Sequence, residues 1–126
     1  MKEPQEGKEK WEIINHHPNY VISSYGRVRN LNTGRILKWQ ESRRSGGYAF
    51  VNLYKNGQRI NANIHTLVSY AFLGPRPPWK VVHHKDEKPM NPRLFNLEYI
   101  THKENNHHNQ LKKRRRENNA NSNKDL

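Results

Sequence analysis

Between Val81 and Gln110, thirty residues pass through strand, loop, strand and helix. No other stretch of the chain restricts the fold so tightly. Val81-Val82 opens a short strand. Lys85 to Phe95 contains Pro89 and Pro92, which cannot sit inside a helix or a sheet ladder, and reads as a long loop. Leu97 to Ile100 is a second strand. Thr101 reads as an N-cap, with Glu104 three residues on as its capping-box partner. A polar helix follows, from His102 to about Glu117. Two adjacent histidines, His83 and His84, end the first strand. Side chains alternate along a strand, so the pair points to opposite faces, and one can face an ion while the other faces a substrate. Asn96 lies at the loop's return. Asn105 and Asn109 share a helical face, with His108 nearby.

The remainder of the chain is β-rich and then briefly helical. Residues 1–10 and 118–126 read as disordered ends. Ordered structure is expected from Trp11. Tyr20 to Ser23 and Arg27 to Arg29 read as strands about a Tyr25-Gly26 turn, and Arg35 to Lys38 as a third strand after Thr33-Gly34. Ser45-Gly46-Gly47 is a flexible turn. Tyr48 to Tyr54 alternates as a strand, and Asn56-Gly57 signals a hairpin returning through Arg59 to Ile64. Ile64, Leu67, Val68, Ala71 and Phe72 then fall on one helical face, ended by Gly74-Pro75. The expected class is α+β: a small antiparallel β-rich lobe over 11–79, with a helix at about 64–73, followed by a strand–strand–helix unit over 80–117.

Charge indicates the partner. The formal net charge is +12 over 126 residues. Residues 11–79 hold nine basic groups against two acidic, and residues 111–126 six against two, whereas residues 80–110 hold five against four. Basic flanks around a nearly neutral middle suit a phosphate backbone gripped by counterion release. A membrane surface is the other anionic partner, but no amphipathic apolar-basic helix supports it. No run of about 18 apolar residues exists, and the charged N-terminus does not read as a secretory signal. The chain has no cysteine, which excludes disulfides and thiolate metal ligands.

Eight histidines make an adjacent pair a weak signal alone. His16-His17 and His107-His108 are such pairs and read as mostly solvent-exposed. Information lies in the joint spacing: twelve residues from His84 to Asn96, then nine to Asn105.

At His84, Asn96 and Asn105, framed by Val81-Val82 and Asn96-Leu97-Glu98-Tyr99-Ile100-Thr101, the chain resembles the HNH (ββα-metal) endonuclease family, in particular its phage and intron-encoded homing members. The resemblance implies a ββα unit that clasps one divalent ion at a DNA phosphate. It implies that His84 is the general base, that His83 and Asn105 are metal ligands, and that Asn96 ties the loop to orient the base. Homing members often carry Asp or Asn where this chain has His83. A third ligand, His108 or Asn109, is left open, with a weak contribution from Asn109 preferred. An imidazole titrates near pH 6.5 and can accept a proton at neutral pH. Neutral Asn and His ligands leave the ion its full charge to offset that developing on a phosphodiester. Magnesium is the expected ion, with manganese or another transition metal as the alternative.

The pattern Trp11-Glu12, Ile14, Tyr20, Ile22-Ser23, Gly26-Arg27-Val28-Arg29 resembles a motif found ahead of the nuclease in phage homing endonucleases. Ile64-His65, Leu67-Val68 and Ala71-Phe72 resemble the helix before the histidine strand, with Thr66 where Arg is common. His65 is expected to be structural, with a phosphate contact as the alternative. Arg27, Arg29, Arg35, Lys38, Arg43 and Arg44 are expected phosphate contacts, one or two reaching base edges. Lys112, Lys113, Arg114, Arg115 and Arg116 are expected to clamp phosphates non-specifically.

The expected function is a metal-dependent endonuclease on double-stranded DNA, a homing or phage-encoded nicking enzyme of the host cytoplasm. The resemblance implies products with 5′-phosphate and 3′-hydroxyl ends. One unit holds one site, so a monomer or weak homodimer is expected, nicking one strand at a time. With so few residues after the basic helix, the helical DNA-reading module of longer homing members is not expected in this chain. The alternatives are a non-catalytic DNA-binding protein that keeps the fold, and a packaging-associated phage nuclease of low specificity.

Overall fold

The structure, a computed structural model, describes residues 7–42, 47–111 and 114. The fold is α+β, as the sequence pattern indicates, and built from three small antiparallel sheets. β1 (Trp11–Ile14), β2 (His17–Ser23) and β3 (Val28–Asn30) form the first, in that order. β4 (Gln40–Glu41), β5 (Ala49–Lys55) and β6 (Gln58–Asn63) form the second, followed by α1 (Ile64–Leu73). β7 (Lys80–His84) and β8 (Leu97–Thr101) form the third, and a helix, α2, runs over 102–111.

Local chemistry accounts for these elements. The β5–β6 hairpin turns on Asn56 (φ 52°) and Gly57 (φ 75°), two left-handed central residues of the kind that match strand twist. β5 alternates as expected: Ala49, Val51 and Leu53 are buried. On α1, Ile64 and Val68 are fully buried, with Leu67, Ala71 and Phe72 packed beside them, and Gly74 at φ 87° ends the helix. At the start of α2 the capping box forms. Glu104 N–H donates to Thr101 Oγ1 at 3.1 Å, while Glu104 Oε1 accepts from Thr101 N–H at 3.2 Å.

Two expectations are corrected. The run Arg35 to Lys38 is not a third strand; only the single bridge Arg29–Ile36 forms. Its pairing to β3 amounts, among the described residues, to Asn30 N–H donating to Arg35 O at 2.9 Å and Leu37 N–H donating to Val28 O at 2.8 Å, too short for a ladder, after which the Trp39 indole N–H donates to Gly26 O at 2.9 Å. Residues 7–10, expected within the disordered lead, are tied to the first sheet. Lys10 N–H donates to Ser24 Oγ at 2.9 Å, Ser24 N–H to Lys10 O at 2.8 Å, and Tyr25 OH to Gly7 O at 2.7 Å. The expected disorder of 1–6 and 118–126 lies outside the described residues, as does most of the Ser45-Gly46-Gly47 turn.

One core runs beneath all three sheets. Ile22, Val28, Leu53, Ile64 and Val68 are completely inaccessible, and Leu97 of β8 joins the same cluster. Each such side chain contributes about 1.5–3 kcal/mol by leaving water. The third sheet is thus anchored by the other two, also through Leu94 N–H donating to Ser24 O at 2.9 Å and Tyr99 OH to Gly74 O at 2.7 Å. Among the described residues no helix is long and apolar enough to cross a membrane.

Gly26 marks the tightest seam. It sits at φ 85°, and a Cβ there would lie 3.1 Å from Pro92 Cγ, 3.1 Å from Trp39 Cζ2 and 3.2 Å from Ile64 Cγ2. Gly26→Ala is therefore expected to lose roughly 2–4 kcal/mol in urea denaturation, the sum of left-handed strain and overpacking. Gly34→Ala, at φ 72° with nothing within 4 Å, is expected to lose only the backbone part.

Candidate active site

β7 and β8 pair in a register that sets Lys80 opposite Thr101, His83 opposite Glu98 and His84 opposite Leu97. Strand alternation then sends the two histidines to different surroundings. His84 is 7% exposed and turns toward α1 and the start of β5. The His65 ring stands edge-on to it with centroids 5.0 Å apart, and the Tyr48 ring lies at 5.8 Å. Tyr48 and His65 are themselves 4.7 Å apart, so His84 faces a three-ring cluster. Burial pushes His65 down to about 4, with repulsion from His84 adding to it, so His65 is neutral at neutral pH.

His83 faces α2. Its Nδ1 lies 2.9 Å from Glu98 Oε1, and its ring stacks on His108 with centroids 4.5 Å apart and 14° between planes. A carboxylate oxygen only accepts, so the proton of this contact sits on Nδ1; in the neutral ring this leaves a lone pair on Nε2. That Nε2 is buried and has no hydrogen-bond partner among the described residues. His108, expected to be mostly solvent-exposed, is half-buried because α2 lays it over His83, whereas His107 is exposed. Glu87 reaches the same place: single ligand atoms of His83, Glu87 and His108 lie within 4.8 Å of one another. Asn105, also on α2, is half-buried and Asn109 is exposed.

Loop 85–96 is closed by Asn96, which is 6% exposed. Its Oδ1 accepts from Asp86 N–H at 2.9 Å, and its Nδ2 donates to Asp86 Oδ1 at 2.8 Å and Asn91 O at 2.9 Å. Asn91 Nδ2 donates to Asp86 Oδ2 at 2.7 Å, and Lys88 N–H to Asp86 Oδ1 at 2.8 Å. Burial raises the Asp86 carboxyl, but the bonds from Asn91, Lys88 and Asn96 outweigh it and hold the group below its ordinary range. The loop leaves β7 through Lys85 N–H donating to Asn96 O at 2.7 Å and Glu87 N–H donating to His84 O at 2.8 Å.

The basic side chains are divided. Arg29 lies over the Trp11 ring at 4.8 Å, with Arg27 at 5.6 Å. Arg27 also forms an ion pair with Glu9. Arg35, Lys38 and Arg114 are exposed. Arg43, Arg44, Lys112, Lys113, Arg115 and Arg116 lie outside the described residues. A groove with no histidine in its lining is formed by residues that include Tyr25, Arg27, Lys38, Trp39 and Arg93, and Arg93 stacks on Tyr25 at 5.2 Å. Sequence reasoning did not single out Arg93, Tyr48, Glu87 or Glu98. The pairing of Glu98 with His83 depends on a register across a long loop, and the rest depends on contacts distant in sequence.

Residues 9–54 match the NUMOD4 motif and residues 55–107 match the HNH endonuclease family. An uncharacterised HNH endonuclease of Acanthamoeba polyphaga mimivirus is 36% identical over 96 residues, covering 76% of this chain and 28% of that protein. The H-N-H endonuclease F-TflII of Escherichia phage T5 is 31% identical over 98 residues, covering 76% of this chain and 50% of that protein. DNA endonuclease I-HmuI of Bacillus phage SP01 is 31% identical over 94 residues, covering 75% of this chain and 53% of that protein. The solved structure describing DNA binding and cleavage by the HNH homing endonuclease I-HmuI superposes with a TM-score of 0.71 at 30% identity. The match covers 82% of this chain and 59% of that one. The chain thus spans about half the length, or less, of the curated relatives it matches.

The depressed His65 value has a consequence for stability. The unfolded ring takes up a proton near pH 6.5 and the folded ring only near 4, so the unfolded state binds more protons between those values. Stability is expected to fall as pH drops through that window, by on the order of 1–3 kcal/mol, and to level off below it. Urea denaturation at stepped pH checks this: His65→Gln is expected to have the shallower slope, and equal slopes would assign the proton uptake to another group.

Proposed function

The chain belongs to the HNH endonuclease family, with a NUMOD4 motif ahead of the nuclease segment, and on that premise we propose that it hydrolyses phosphodiester bonds in double-stranded DNA with one divalent metal ion. The observation that carries the proposal is the division of labour on β7. Two adjacent imidazoles face opposite ways, one backed by a carboxylate and lying under α2, the other beside a neutral histidine and a tyrosine.

The residues present fit a metal. His83 offers a buried Nε2 lone pair with no hydrogen-bond partner among the described residues. Glu98 holds the opposite edge of the ring, the arrangement that fixes a ligating histidine and raises its basicity. Asn105 on α2 is the proposed second ligand, and Asn109 a weaker one. When bound, the ion offsets negative charge on the reacting phosphate and stabilises the leaving oxygen.

The remaining chemistry belongs to side chains. His84 is the proposed general base, taking a proton from the attacking water through its ring nitrogen. Uncharged His65 beside it adds no repulsion to the imidazolium that forms. Asn96 touches no phosphate in this scheme. It is a positioning residue that holds the loop joining β7 to β8, and with it the direction of both histidines. Arg27, Arg29, Arg35, Lys38, Arg43 and Arg44 grip phosphates ahead of the site, and Lys112 to Arg116 behind it. The products carry 5′-phosphate and 3′-hydroxyl ends. A single unit nicks one strand, as a monomer or weak homodimer. The phage relatives support a phage-encoded enzyme acting in a bacterial cytoplasm.

Supercoiled-plasmid nicking tests the proposal. The parent is expected to nick with a divalent ion and to stop with EDTA. His84→Ala is expected to lose about 100- to 10,000-fold in rate while keeping salt-sensitive DNA binding. A parent that binds DNA tightly yet nicks with none of magnesium, manganese, cobalt or zinc is a binding protein on a nuclease fold.

A further inference from the structure

We propose that His83, His108 and Glu87 form a two-histidine, one-carboxylate site that selects a transition metal over magnesium. This rests on the metal-dependent reading of the same site, but puts His108 and Glu87 beside His83 in place of Asn105 and Asn109.

Three observations converge. One ligand atom from each residue lies within 4.8 Å of the others. Two nitrogens bound at about 2.1 Å to a tetrahedral ion stand ~3.4 Å apart, so small side-chain rotations close these atoms on an ion. Second, the His83 Nε2 lone pair is buried without a hydrogen-bond partner among the described residues, on a side chain only 11% exposed, while Glu98 occupies Nδ1. A ring nitrogen without a hydrogen-bond partner, with a carboxylate on the other nitrogen, is the arrangement of a metal-ligating histidine. Third, Glu87 occupies a backbone position at φ 61° where glycine is the unstrained choice. A bulky carboxylate is held there beside two imidazoles, by a loop that Asn96 and Asp86 close. The strain has no local return, because the Glu87 side chain caps nothing and pairs with no cation in the hydrogen bonds and ion pairs seen among the described residues.

The donor set decides the ion. Magnesium favours oxygen ligands and keeps several waters, and manganese shares that preference, whereas imidazole suits zinc, copper, iron and nickel. Three protein ligands would leave a fourth position for substrate, the pattern of a catalytic rather than a structural ion. The ion would join β7, the loop and α2 at one point, so binding also stabilises the fold.

Cobalt(II) titration of the full chain, followed by visible absorption and thermal unfolding, tests the proposal. The parent is expected to develop the intense bands of a four- or five-coordinate ion, to bind cobalt at least tenfold tighter than magnesium, and to melt higher when loaded. His108→Ala is expected to weaken cobalt binding at least tenfold and to alter the bands. Glu87→Gly separates ligation from structure. It relieves the left-handed strain, so the metal-free protein is expected to melt at the same temperature or higher, while cobalt affinity falls. Cobalt binding that is absent, or unchanged in both variants, overturns the proposal even if magnesium supports nicking, in which case the nuclease reading stands with the ion held by His83 and Asn105. The converse result, cobalt held through His108 and Glu87 with no nicking by any ion, upholds the site and removes the nuclease reading.

Discussion

Asn96 spends every polar group it has on one loop. Its side-chain oxygen and nitrogen bind Asp86 and Asn91, its carbonyl accepts from Lys85, and its N–H donates to Arg93 O at 2.9 Å. A buried amide left unpaired costs about 1–3 kcal/mol for each group, so the loop has little freedom to close in any other way. The consequence reaches both histidines. Lys85 and Glu87 are held to the loop's closing residue and to His84 O, which fixes the end of β7 and the side of the sheet each imidazole faces.

That arrangement would be loose without the two sheets ahead of it. Leu97, the residue after Asn96, is buried in the core that Ile22, Leu53 and Ile64 also form. Pro92 of the loop presses on Gly26 at the first sheet's turn, and Trp39 closes the same seam with its indole hydrogen bond. Packing thus carries rigidity from an apolar core to a polar surface site. The capping box at Thr101 and Glu104 sets where α2 begins, and hence which residue of that helix lies over His83.

Much of this was legible in one dimension. Period-two alternation in Ala49 to Leu53 and the 3.6-residue period of Ile64, Val68 and Phe72 each report a single buried face, which needs only local sequence. Asn56-Gly57 and Thr101 to Glu104 carry their geometry in residue type. The positions that frame the candidate site, His83, His84 and Asn96, follow from strand ends and a loop return. What stayed hidden depends on chain folding back on itself. Trp39 turns inward for a carbonyl thirteen residues away. His108 lies on a polar helix, and only its packing on β7 shows that it faces His83 rather than water. His65 and Tyr48 come from a helix and a strand well before the histidines, and no periodicity announces that they surround His84. Glu87 is concealed for another reason: glutamate gives no warning of a left-handed backbone.

The central claim is that loop closure by Asn96, rather than any contact of its own with DNA, makes the histidine pair competent. Amide hydrogen exchange on Asn96→Ala, read beside its plasmid-nicking rate, addresses it directly. The account requires that Lys85, Asp86, Glu87 and Lys88 lose protection while β2, β5 and α1 keep theirs, and that nicking collapses together with the loop. A variant whose loop amides exchange freely but which nicks as fast as the parent would contradict it.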